Sequence, residues 1–128
     1  MHFNGRFMSA VLLLLAPLIL VPGTWARELC EDKSRFVAPC FGVHGRLSIF
    51  NGTPGVRIWK IGTKRVLGVL NDGDTEERSL PADIARLVAV DVHIYGDFEV
   101  CPLTKQQSGK MQTVCLLSGQ NLLVRKIR

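Results

Sequence analysis

Between Val88 and Val100 two kinds of residue alternate. Val88, Val90, Val92, Ile94, Phe98 and Val100 fall on one parity, and Asp91, His93, Tyr95, Asp97 and Glu99 on the other. A period of two is the mark of a strand with one buried and one wet face, and no helix can hide such a pattern. The same alternation recurs at Val43, Gly45, Leu47 and Ile49 against His44, Arg46, Ser48 and Phe50. Val56–Ile61 and Arg65–Leu70 add two short β-branched runs, parted by Gly62-Thr63. Met111–Leu117 and Leu122–Ile127 read as a final meander around "SGQN". Gly96 interrupts the longest run, at a bulge or a close approach. "SLPADIARL" alone reads as a helix: Ser79 suits a cap, Pro81 a first turn, and Leu80, Ile84 and Leu87 share a face. The expected fold is therefore all-β: a single prealbumin-like or Ig-like β-sandwich of six or seven short strands with one short helix.

The chain opens on "MHFNGRFMSAVLLLLAPLILVPGTWA". Arg6 supplies a positive start, Phe7–Val21 is an almost unbroken apolar run, Pro22-Gly23 breaks it, and Thr24 and Ala26 suit a cleavage site. These are the parts of a secretory signal helix, expected over residues 1–26, with a single β domain over 27–128 starting at Arg27. The run falls short of the roughly 20 residues of a membrane span. Leu29 before Cys30 does not suit a lipid-attachment site. The expected destination is exported, periplasmic or extracellular, with no stable membrane span after cleavage.

Cys30, Cys40, Cys101 and Cys115 all follow the leader, an even number that favours two disulfides. Cys101 and Cys115 flank "PLTKQQSGKMQTV", a hairpin with its turn near Gly109, so Cys101–Cys115 with Cys30–Cys40 is the expected pairing. Cys40–Cys101 with Cys30–Cys115 is its rival. No C-x-x-C or paired His spacing suits zinc, haem or redox exchange, and no cofactor or metal is expected.

Charge is +5, and beyond Lys105 come Lys110, Arg125, Lys126 and Arg128 without an acid. Such a tail protects an edge strand or meets an anion. Nucleic acid is not an expected partner of an exported chain whose basic residues are scattered.

Val43 and Gly45, the loop "NGTPG", then Val56, Ile58 and Trp59, and later "GDFEV", resemble transthyretin-like and carboxypeptidase-regulatory-like domains. The resemblance implies a sandwich and a binding or structural role, and it brings no catalytic residue.

Chemistry-bearing residues are few. His44 and His93 lie on wet parities, so they share a possible ligand face with Arg46, Asp91 and Tyr95. That face could hold a metal or serve as a hydrolase site at His93 and Asp91, but solvent-facing side chains are the plainer reading. Asp97 and Glu99 read as solubilising charge, and Asp72 and Asp74 lack the spacing of a calcium loop. No G-x-S-x-G elbow is present. Trp59, Tyr95 and Phe50 could form an aromatic surface. No catalytic residue is expected, and the chain reads as a non-enzymatic module binding a protein, envelope component or small ligand. The alternatives are a protease or glycosidase inhibitor using "NGTPG" or "LTKQQSGKM", or the small hydrolase.

Overall fold

A computed structural model describes residues 30–71 and 80–127, with Leu14, Ala16 and Pro17. The expected signal helix, its cleavage site and most of the polar loop after Asn71 lie outside the described residues. Among the described residues five strands form: β1 (Phe41–Ile49), β2 (Val56–Lys60), β3 (Val66–Val69), β4 (Val92–Pro102) and β5 (Gln112–Lys126). A 3-10 turn, Lys33–Arg35, precedes them, and one short helix, α1 (Ala82–Ala85), sits between β3 and β4.

The chain is all-β, but the expected two-sheet sandwich is replaced by a single sheet closed into a barrel in the order β1-β2-β3-β5-β4. Every pairing is antiparallel except β3 with β5, which run parallel over Leu67–Val69 and Gln112–Val114. This is the topology of the five-stranded OB-fold barrel. Closure depends on β1 and β5 each pairing with two neighbours: β1 with β2 and β4, β5 with β4 and β3. Alternation alone marks an inner and an outer face, and it is equally satisfied by a sandwich or a barrel.

The expected break at "SGQN" is also absent, because β5 runs through it as one strand. Two register shifts against β4 absorb the extra residues, between Tyr95 and Asp97 and between Glu99 and Val100. Asn121 takes a positive φ of 54° at the first. Bulges of this kind bend a strand enough to let a small sheet close.

Inward residues fill the barrel: Leu47, Val56, Ile58, Leu67, Val69, Ile94, Phe98, Val100 and Val114 are all buried. Gly45 and Gly96 face each other across β1 and β4. A methyl on Gly45 would meet Ile58 at 2.5 Å and the Trp59 carbonyl oxygen at 2.9 Å. One on Gly96 would meet Leu122 at 2.7 Å, so the glycine expected at a close approach serves one.

One end of the barrel is closed by the β3–β4 connection. Leu80 and Ile84 join the core, with Leu87 and Val88 packed against it. Pro81 is the N-cap of α1 rather than part of its first turn, and its carbonyl accepts from Ile84 and Ala85. At the other end lie two disulfides, Cys30–Cys115 and Cys40–Cys101. The rival pairing is the one found, so the expected Cys101–Cys115 and Cys30–Cys40 links are corrected. Cys101 and Cys115 are register partners, as the hairpin reading requires. However, the Phe41–Val100 pairing carries Cys40 up beside Cys101, with 4.1 Å between their Cα atoms. The segment before β1 then crosses the hairpin, where Val37 N–H donates to the Pro102 carbonyl (3.0 Å), and Cys30 reaches Cys115. Two crosslinks in so small a domain fit an oxidising environment.

Candidate functional site

The barrel wall places one residue from each strand in a single row: Leu123 pairs with Tyr95, Tyr95 with Arg46, Arg46 with Trp59, and Trp59 with Val66. Neighbouring strands lie about 4.8 Å apart, so Tyr95 and Trp59 flank Arg46 at one strand spacing each. The Arg46 guanidinium lies 4.9 Å from the Trp59 ring centre, a cation–π contact. Trp59 Nε1 donates to the Thr63 carbonyl (2.6 Å), which fixes the indole plane. Arg46 Nε is buried and has no hydrogen-bond partner, and the same holds for Ser48 Oγ, two residues along the strand. A buried donor left unpaired costs about 1–3 kcal/mol, a cost that this wall carries at both positions.

Beside the row, His93 meets Tyr95 edge to face, with ring centres 6.4 Å apart. Burial first, and then the nearby Arg46 charge, lower the His93 pKa from its ordinary value. On the other side, His44 Nδ1 lies 2.8 Å from Asp97 Oδ1, and Asn121 Nδ2 donates to Asp97 Oδ2 (2.9 Å). Hydrogen bonds from Asn121 and then His44 lower the Asp97 pKa. His44, Tyr95, Gly96, Asn121, Leu123 and Arg125 line a shallow groove of about 480 Å³.

Four of the five expected face residues, His44, Arg46, His93 and Tyr95, lie on adjacent strands β1 and β4. Asp91 stands just outside β4, and its carbonyl accepts from Ile127 N–H (2.8 Å). The histidine–carboxylate contact in this region joins His44 to Asp97, a pairing that the His93–Asp91 hydrolase reading does not contain. Two histidines on one wet face did not reveal which carboxylate each meets, because the β1–β4 register decides that. Among the described residues no group of three His, Cys, Asp or Glu is placed to hold a metal. Also among them, no helix is long and apolar enough to cross a membrane.

The "NGTPG" loop folds back rather than protruding. Arg57 Nε donates to the Pro54 carbonyl (3.0 Å), and the Arg57 guanidinium covers the Phe50 ring at 5.0 Å. Pro54 occupies the space that a side chain at Gly68 would take, so the loop covers part of β3. Phe50 stays exposed but stacks with Arg57 beside this loop, outside the row that holds Tyr95 and Trp59.

Sequence reasoning missed a second region. Lys64, Arg65, Lys105 and Lys110 gather around the β2–β3 turn and the β4–β5 loop. Its one visible signal was the acid-free stretch after Lys105. Compared with protein-family models, curated proteins and solved structures, the chain matches none.

Proposed function

We propose that this chain is an exported, non-catalytic binding barrel for a protein, an envelope component or a small ligand, and that the Tyr95–Arg46–Trp59 belt is its binding surface. The observation that carries this reading is the row itself: Tyr95 and Trp59, on the two neighbouring strands, flank Arg46, whose guanidinium lies over the Trp59 ring. Rings offer flat apolar area at little entropy cost, and a guanidinium offers a fork for a carboxylate or other oxyanion. A ligand suited to both carries a flat ring face and an acidic group. Five-stranded barrels of this topology often bind extended ligands on their walls, which supports the reading by analogy alone. The two disulfides and the apolar leader with its small-residue cleavage site support export.

Trp59 is the sole tryptophan after residue 26, so its emission reports directly on the belt in the exported protein. Peptides, glycans and small aromatic acids are titrated while this emission is read. The expected result is a ligand that shifts Trp59 emission and loses at least about tenfold in affinity with Arg46→Ala, equivalent to 1.4 kcal/mol. A ligand whose binding is untouched by both Arg46→Ala and Tyr95→Ala would overturn the belt. Turnover of ester, peptide or glycoside substrates, abolished by His93→Ala, would replace binding with the hydrolase reading.

A further inference from the structure

At the disulfide end of the barrel, away from the belt's groove, two hollows adjoin. One, of about 310 Å³, is lined by residues that include Val37, Phe41, Arg65 and Lys105. The other, of about 370 Å³, is lined by residues that include Lys64, Arg65, Ser108 and Lys110. Arg65, Gln106 and Gln112 belong to both, so the hollows form one trough. Among the described residues its lining has four cations and no Asp or Glu.

The central cation is held in place. Arg65 Nη2 donates to Gln112 Oε1, and the guanidinium lies 5.3 Å over the Phe41 ring. Gln112 is only 7% exposed, and its Nε2 donates to the Thr104 carbonyl (2.9 Å). Thr104 Oγ1 in turn accepts from Thr113 N–H (2.9 Å). Cys101 and Cys115 anchor the strands on either side of this loop. A guanidinium so oriented loses little further freedom when an anion arrives, and only one of its five N–H donors is used by Gln112.

We infer that this trough binds a linear acidic polysaccharide through Lys64, Arg65, Lys105 and Lys110. The cations are spread over two hollows rather than converging on one point, which suits charges repeated along a chain. Between them stand Gln106, Gln107 and Ser108, whose amides and hydroxyl match sugar hydroxyl groups. Single-stranded nucleic acid needs open ring faces for stacking. Among the described residues the trough's one aromatic ring, Phe41, already carries Arg65. An anionic membrane favours a broad apolar wedge beneath the charges. Here Val37 and Met111 are the exposed large apolar residues of the lining.

The test titrates the exported protein with heparin and polygalacturonate, and in parallel with inorganic polyphosphate and an oligothymidine of about 20 nucleotides. Lys64→Glu/Lys110→Glu is compared with Arg86→Glu/Lys126→Glu, which changes net charge equally but lies outside the trough. All four are exposed side chains, and unchanged melting confirms that each variant folds. The expected result is binding of at least one acidic glycan, weakened about tenfold or more by the trough pair and less than about threefold by the control pair. Arg65→Lys, which keeps the charge but loses the planar fork, is also expected to weaken it. Three results would overturn the proposal: no glycan binding at about 50 mM salt, equal losses in both pairs, or preference for polyphosphate or oligothymidine. None of these variants replaces Arg46, Tyr95 or Trp59, and unchanged Trp59 emission checks that the Thr63 carbonyl beside Lys64 still holds the indole, so failure here leaves the belt standing, and failure of the belt leaves the trough.

Discussion

Where β3 ends and β4 begins, Leu80 and Ile84 close the barrel with apolar surface. Where β4 ends and β5 begins, Cys40–Cys101 and Cys30–Cys115 close it with covalent bonds. The first end is held by burial and so must be apolar. The second relies less on apolar burial, being held by the crosslinks and by the Arg65–Gln112–Thr104 hydrogen bonds, and its loops carry charge. That is where Lys64, Arg65, Lys105 and Lys110 collect, around loops that mostly lack an apolar anchor of their own. The contrast teaches why a small domain benefits from crosslinks: they release surface near a binding region from the work of holding the fold.

The largest expected break is at the crosslinked end. The two disulfides span 61 and 85 residues, and the chain-entropy relation assigns roughly 4 kcal/mol to either closure alone. Reduction is expected to lower the melting temperature by more than about 10 °C, read by circular dichroism with and without reductant. Peptide mapping without reduction should recover 40–101 and 30–115 links. An unchanged melting temperature after full reduction would erase the contrast between the ends.

A cut at the apolar end comes next. Ile84 is fully buried, and Ile84→Ala should cost about 2–5 kcal/mol by denaturant titration. Amide exchange sharpens the comparison. Ile84→Ala should expose the amides of 80–92 first, and reduction those of 37–41 and 103–113. Loss of protection in the same order under both treatments would show that the ends do not act separately.

The smallest effect lies on the wall between the ends. His93 has a lowered pKa in the folded protein, from burial and Arg46, so the unfolded chain takes up its proton more readily. Its contribution is complete above the unfolded value of about 6.5 and is lost as pH falls through that value toward the lower folded one. His93→Asn should therefore flatten part of the loss of stability between about pH 7 and 5. Asp97 works in a separate window: its lowered pKa gives stability that is present above about 3.9 and lost in stronger acid. Identical pH curves for the wild type and His93→Asn would remove His93 from the account.

Much of this architecture was legible residue by residue. Alternation in β1 and β4 named the inward side chains, since Val43, Leu47, Ile94, Phe98 and Val100 are all buried. It also named most of the outward ones, since His44, Arg46, His93 and Tyr95 remain at least partly exposed on the wall, but Ser48 on the same parity is buried and Val90, read as inward, lies before β4 and is exposed. The spacing of Leu80, Ile84 and Leu87 marked a segment that caps the core. These readings depend on periods of two and about 3.6 residues, which the chain carries locally.

What remained hidden depends on pairing between distant segments. β3 meets β5 in parallel, and that contact turns an open sheet into a barrel, yet nothing within Val66–Val69 announces it. The disulfides follow the β1–β4 register, which sets Cys40 beside Cys101 even though Cys115 is the hairpin partner of Cys101. Asp97 finds His44 by that β1–β4 register, Arg46 finds Trp59 by the β1–β2 register, and Arg65 in the β2–β3 turn meets Gln112 at the start of β5. The sequence by itself determined which side of each strand faces inward, because burial acts on every residue where it stands. Only the tertiary structure decided which strands adjoin, which cysteines bond and which charges share a surface, because those depend on closure and register, which are properties of the whole sheet.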